Sequence, residues 1–215
     1  MKNKNDLRGL NLVGFQNSDE DFTSVFNDNK TVELLRPEIR KYFSKIKTVN
    51  RNNSSYGLKH IAERHLGTYV SNGELIYAMH LEGYKIYRES INCSFNVSQA
   101  SVRHLINANS ILTNLSTPLN RKITDYLKYR RRPYKYKYYF KFLIESKFGS
   151  ESRLRRDVIA VLSKEINETP ETVKSWINML AFVRKEIPAD KLEMLSKIFN
   201  IPTEELKNEE SEMRN

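Results

Sequence analysis

The residue types able to do chemistry fall in a few places along the chain. His60 and His65 flank Glu63 in the run HIAERH. A zinc-protease helix places two histidines four residues apart on one face. Here they are five apart, about 140° around a helix, and Glu63 has the wrong offset. These histidines read as solvated groups or phosphate neighbours, and no metal site is expected. Cys93 is the single cysteine, which excludes an internal disulfide and a cysteine-based zinc site. It reads as a small buried residue with no dedicated base nearby, not as a nucleophile. Asp19-Glu20-Asp21 reads as a solvated acidic run, and no carboxylate cluster suited to a two-metal nuclease is evident. The phosphate-binding, dinucleotide-binding and serine-hydrolase glycine motifs do not occur. The expectation is a protein with no catalytic residues and no cofactor, and not an enzyme.

Chemistry of another kind is concentrated between Arg121 and Arg156. Thirteen Lys and Arg face three acids there, a net +10 that equals the formal charge of all 215 residues. Charge so concentrated attracts polyanions through its long-range field and through counterion release. Within it, Arg130, Arg131, Arg132, Lys135 and Lys137 interleave with Tyr134, Tyr136, Tyr138 and Tyr139. In an extended chain this alternation puts cations on one side and rings on the other. The cations are assigned to phosphate contact. The rings either stack on bases, as in single-strand binders, or belong to the core of the next domain.

A helix follows with a second set of donors. Thr169 is a good N-cap and Pro170 occupies the first helical position, where proline is tolerated. Val173, Trp176, Ile177 and Leu180 form one face, and Trp176 reads as core. Thr172, Lys174, Ser175 and Asn178 fall mainly on the other, where they could meet phosphates or base edges in a major groove. Arg184 and Lys185, just beyond, join these candidates.

VLSKEINETPETVKSWIN and then IPADKLEMLSKIFNIPTEEL resemble the lambda-repressor-like (Cro/CI, xenobiotic-response-element type) helix-turn-helix family. The resemblance covers about a third of the chain. It implies that Pro170–Asn178 is the recognition helix, that Pro188–Leu206 closes the core, that double-stranded DNA is the partner and that the protein forms a homodimer matched to a two-fold operator. The first helix of the family would fall at Tyr138–Phe148. Two departures stand out: Arg153 and Glu171 where the family often has Gln, and Met179-Leu180-Ala181-Phe182 where it often has Gly. Glu168 and Glu171 also place negative charge where a phosphate would approach.

The elements that must position these groups follow from periodicity and punctuation. Residues 1–30, rich in Asn, Asp and Ser, read as a loose N-terminal arm that docks a few apolar residues from among Leu7, Leu10, Leu12, Val13 and Phe15. Residues 31–108 read as a small α+β domain. Within it we expect a helix from Thr31 to Ile46, with Pro37 in its first turns or splitting off a shorter helix, and a loop at Asn50–Ser55. Helices at Tyr56–Leu66 and Gly73–Glu82 follow, then a hairpin around Arg88–Cys93 and a helix from Gln99 to Ala108. Winged helix-turn-helix domains use this order, and so do small α+β domains with no nucleic-acid role. In the winged reading the N-termini at Ser54–His60 and Ser71–Glu74 contact the DNA backbone. Otherwise those residues only cap helices and make turns.

Residues 109–134 read as a linker and basic arm, 135–208 as the helix-turn-helix domain, and 209–215 as a polar tail. The fold class expected is mainly α, a C-terminal helix-turn-helix bundle with a small N-terminal α+β domain. No apolar run approaches a membrane span, and the N-terminus lacks a signal-peptide core. A cytoplasmic DNA-binding protein with no membrane partner is expected, a transcriptional regulator of a bacteriophage or mobile element. Competing expectations are a protein-interaction or inhibitor module, with a protein partner held by the N-terminal domain, and a phage structural protein that coats nucleic acid.

Overall fold

The computed structural model describes residues 6–118, 143–144, 147–148, 152–177 and 187–206. The chain divides into two compact units, Met1–Asn109 and Ser110–Asn215. Helices dominate the described residues, with two small sheets in the first unit.

The N-terminal segment is not a loose arm. Strands β1 (Leu10–Asn11) and β2 (Gly14–Phe15) form an antiparallel hairpin, and a 3-10 turn follows at Thr23–Phe26. Leu10, Phe15 and Phe26 are buried, and the Phe26 ring stacks on Tyr77 at 4.8 Å. Leu10 and Phe15 are among the apolar residues that the sequence offers for docking, whereas Phe26 is not. Two-residue strands carry no periodicity to reveal them.

Helix α1 (Lys30–Tyr42) is capped by Asn29, whose side chain accepts from the Val32 N–H. It buries Val32, Leu35, Ile39 and Tyr42, an i, i+3, i+7, i+10 stripe. Pro37 lies well inside the helix rather than in its first turns; its ring costs one backbone bond but does not end the element. The helix stops at Tyr42, four residues short of expectation. Lys45–Ser54 then forms strand β3, which takes in most of the expected Asn50–Ser55 loop. The strand pairs irregularly with its neighbour, in a register interrupted twice. Most of its side chains are exposed, so no alternation marks it in sequence.

Helices α2 (Ser55–Leu66) and α3 (Asn72–Leu81) occur where expected. Ser54 caps α2, and Gly67 closes it at φ 66°, the left-handed conformation that glycine adopts cheaply. Ser71 and Glu74 form a complete capping box on α3. Strands β4 (Ile86–Glu89) and β5 (Asn92–Val97) form the expected hairpin. The sheet order is β3-β5-β4, all antiparallel. Central β5 is buried almost throughout. Its polar members are satisfied: Asn96 accepts from the Lys85 N–H and donates to the Ile46 carbonyl, and the Ser94 hydroxyl donates to Glu89.

Helix α4 runs from Gln99 to Ser116, eight residues into the stretch expected to be a linker. Val102, Leu105, Ala108, Ile111 and Leu115 are buried at helical spacing. Their burial outweighs the poor helix propensity of the Asn, Ser and Thr between them.

In the second unit, Leu143 and Ile144 are helical and buried. They fall within the helix expected at Tyr138–Phe148, the rest of which, apart from Lys147 and Phe148, lies outside the described residues. Residues 119–134 of the expected linker and basic arm lie outside them too. Helix α5 (Ser152–Glu165) leads through a turn at Asn167, φ 53°, into α6 (Pro170–Ile177). Val158, Leu162, Ile166, Val173, Trp176 and Ile177 are all buried, and the two helices pack on each other. Helix α7 (Ala189–Phe199) ends on left-handed Asn200, and α8 (Thr203–Leu206) packs against it. Lys191 of α7 donates to the Ile166 carbonyl at 2.7 Å, satisfying an acceptor just past the α5 C-terminus.

Candidate nucleic-acid interface

Proline at the first helical position and Thr169 before it start α6 as expected. The Thr169 hydroxyl accepts from the Thr172 N–H at 3.1 Å, the N-cap bond to the third helical residue. Helical spacing then divides the residues: Val173, Trp176 and Ile177 turn inward, while Lys174 is exposed and Thr172 and Ser175 are partly so. The expectation for Trp176 as core therefore holds.

The hydroxyls on the outer side are engaged locally. Thr169 and Thr172 hydroxyls lie 2.9 Å apart, and the Ser175 hydroxyl donates to the Thr172 carbonyl at 2.7 Å. Among the described residues of this expected donor set, Lys174 is the one charged group and it is solvent-facing. Glu168, which would oppose a phosphate, has the Lys191 ammonium 3.6 Å away, and Glu171 is exposed in the first turn. Asn178, Arg184, Lys185, Arg130, Arg131, Arg132, Lys135 and Lys137 lie outside the described residues.

In the first unit, the α3 N-terminus is not available to a DNA backbone. Ser71, Asn72, Gly73 and Glu74 are buried. The Gly73 N–H donates to the Leu12 carbonyl at 3.0 Å, the Asn72 amide donates to the Val13 carbonyl at 3.1 Å, and any side chain at Gly73 would collide with the Asn11 carbonyl. The β1–β2 hairpin covers this helix end, so the backbone-contact reading of Ser71–Glu74 gives way to capping and packing. The α2 N-terminus differs: Tyr56 and Gly57 are exposed there.

The two histidines of HIAERH part company, as their spacing requires. The His65 side chain is buried, with Nε2 3.0 Å from Glu38 and Nδ1 2.8 Å from the Asn109 side-chain oxygen. His60 faces outward and its Nδ1 lies 2.6 Å from Glu63. A carboxylate only accepts, so Nδ1 carries the proton. Glu63 also accepts from the buried Lys59 ammonium at 2.9 Å and from the Val70 N–H at 3.2 Å. Burial alone would raise Glu63, but these donors hold its carboxyl below the ordinary carboxylate value.

The Lys59 ammonium lies 5.2 Å from the ring centres of both Tyr56 and Tyr69. The sequence reading missed this cluster. The spacings Lys59–Glu63 and His60–Glu63 are legible as helical neighbours, whereas Tyr69 reaches the group only through the loop after α2.

Among the described residues no group of three or more His, Cys, Asp or Glu side chains could hold a metal ion. Cys93 is buried, and burial pushes its thiol up to about 12, far from a thiolate nucleophile. No helix among the described residues is long and apolar enough to cross a membrane. Comparison with family models, curated proteins and solved structures found no significant match to this chain.

Proposed function

We propose that this is a DNA-binding protein of the second unit, in which α5 and α6 form a helix-turn-helix placed on duplex DNA by the basic segment before it. The observation that carries the reading is the charge distribution: the whole net +10 of the chain falls within residues 121–156, directly before and into α5. The polarity of α6 supports it, with an apolar inner face, Lys174 outward and a capped N-terminus. A transcriptional regulator acting as a homodimer is the form of this function that the resemblance favours, and the general character of the chain points to a bacteriophage or mobile element. On that reading Thr169, Thr172, Lys174, Ser175 and Asn178 meet the groove, and Arg184, Lys185 and the basic segment meet phosphates.

A second reading draws on the local bonding of the α6 hydroxyls. The Ser175 hydroxyl and one of the Thr169 and Thr172 hydroxyls donate within their own helix, which favours phosphate neutralisation without base readout. The protein would then coat nucleic acid. For the first unit, α2, α3 and the β4–β5 hairpin keep the helix, turn, helix, hairpin order used by winged helix-turn-helix domains, which supports that reading. The covered α3 argues that such a domain would serve as a scaffold or protein-docking module, not as a groove reader.

Selection from a random duplex DNA pool at two salt concentrations tests the proposal. Enrichment of one motif, especially a palindrome, supports a sequence-reading regulator. Salt-sensitive retention without enrichment supports coating. Absence of retention at moderate salt refutes both and leaves a protein-interaction module.

A further inference from the structure

Two exposed aromatic rings of the first unit share one location. Tyr56 is 52% exposed and Tyr69 73%. They lie thirteen residues apart, one in the first turn of α2 and one in the loop beyond it, yet the same Lys59 ammonium sits 5.2 Å from both ring centres. Lys59 is buried and bound to Glu63. It acts as a fastener between the rings, not as an open cation.

Such cation–π contacts hold aromatic side chains in place without burying them. An ordinary core would have taken the rings out of water. Here they are fixed and left accessible.

Polar groups able to meet a nucleotide adjoin the rings. The His60 ring meets Tyr56 edge-on at 4.6 Å. Its Nδ1–H is committed to Glu63, which leaves Nε2 as an acceptor for a ligand's N–H or O–H on a side chain 45% exposed. Arg64 is exposed one turn further on. Its Nε donates to the His60 carbonyl at 3.2 Å, and its two terminal nitrogens have no partner among the described residues. The Glu63 charge that would repel an anion is offset by Lys59.

We propose that this face of α2 binds unpaired nucleotides of a single-stranded nucleic acid, with Tyr56 and Tyr69 stacking on bases, Arg64 receiving phosphate and His60 Nε2 accepting from a base N–H or a sugar hydroxyl. Stacking platforms flanked by cations are the general means of holding single strands without sequence preference. A cationic peptide would compete with Lys59 for the ring faces, and an acidic peptide would use the cations but not the rings. The inference concerns a different unit from the proposed duplex site and does not depend on it.

The test uses the full chain with single-stranded DNA and RNA oligonucleotides carrying 5-iodouracil, followed by photocrosslinking and peptide mapping. Crosslinks at Tyr56 or Tyr69 are expected, and they persist when Arg130, Arg131 and Arg132 are replaced by Ala. The relative yield with DNA and RNA identifies the preferred strand. Y56S/Y69S should weaken single-strand binding about a hundredfold, roughly tenfold for each of the two base stacks removed, with duplex binding and melting temperature unchanged. Y56F/Y69F, which keeps the rings, should bind like the parent. Crosslinks confined to residues 121–156, or a folded Y56S/Y69S chain that binds single strands as tightly as the parent, would overturn the proposal.

Discussion

The Glu38 carboxylate of α1 lies 3.0 Å from Nε2 of the buried His65 side chain on α2. The other ring nitrogen of His65 meets the side-chain oxygen of Asn109 on α4, and that amide is oriented by its own donation to the Ile61 carbonyl. The imidazole therefore joins three helices through two acceptors, with the Tyr42 ring edge-on at 4.8 Å. Burial alone would raise Glu38. The hydrogen bond from His65 and the charge of Lys41 outweigh it and hold the carboxyl below its ordinary value.

A pH dependence follows with a definite sign. A carboxyl depressed in the folded state stabilises the fold above its unfolded value, about 4.3, and that contribution is lost as pH falls through the lower folded value. Glu82, also held low despite burial by Arg36 and Arg40 at 2.7 Å each, acts in the same direction. Stability measured by urea titration should thus decline below about pH 4.3. Glu38→Gln should cost about 2 kcal/mol near neutrality, the scale of a hydrogen bond to a charged group, and flatten the acid decline. An unchanged acid profile in the variant would show that the Glu38–His65 pair contributes nothing.

The covered end of α3 makes a second prediction. Gly73→Ala places a methyl group against the Asn11 carbonyl, a backbone atom that cannot rotate away. Overpacking of this kind costs about 1–3 kcal/mol. Removal of residues 1–28 should destabilise the first unit still more, because it strips Leu10, Phe15 and Phe26 from the core. Proteolysis rates and thermal melts of both variants check this. A truncated chain as stable as the parent would restore the picture of a dispensable arm.

How much could be read from sequence depended on the kind of signal. Helices α2, α3, α5, α6 and α7 announce themselves through apolar periodicity and caps such as Ser54, Ser71 and Thr169. The β4–β5 hairpin is likewise legible. Strand β3 was not, because its side chains face water and no alternation is required of them. The continuation of α4 through Asn109 was not, because its justification is tertiary: Asn109 is held by His65 and Ile61, and Ile111 and Leu115 are buried. The same distinction applies to the sites. The polarity of α6 is a property of one helix and is visible in its spacing. The engagement of Thr172 and Ser175 by their own helix, and the meeting of Tyr56 and Tyr69 at Lys59, exist only in three dimensions.

Cys93 offers a simple chemical check on the sheet. Its thiol is buried on central β5 and pushed up to about 12, so the folded protein should resist alkylation by iodoacetamide at pH 8, with labelling only as fast as the sheet opens. Prompt labelling under native conditions would be incompatible with a buried β5.

Lys191 ties α7 to the turn before α6, through the Ile166 carbonyl and Glu168. Lys191→Met keeps most of the apolar stem but leaves that carbonyl unpaired and Glu168 without its neighbouring charge. A loss of about 1 kcal/mol in stability of the second unit is expected, measurable by denaturant titration. Equal stability would mean that water replaces the ammonium at no cost.

The proposed duplex interface separates into two parts that mutation should distinguish. Replacing Arg130, Arg131 and Arg132 by Ala removes charge without touching α6. Affinity for all duplex sequences should fall, and the slope of log affinity against log salt should flatten by about 0.9 for each phosphate no longer neutralised. Lys174→Glu with Asn178→Ala reverses the charge on the outer face of α6 and leaves Val173, Trp176 and Ile177 in place. If α6 reads bases, this double variant should lose sequence preference while keeping its melting temperature and much of its salt-dependent affinity. Preference retained in the folded variant would remove α6 as the reader. A triple arginine variant with an unaltered salt slope would remove the basic segment from the interface.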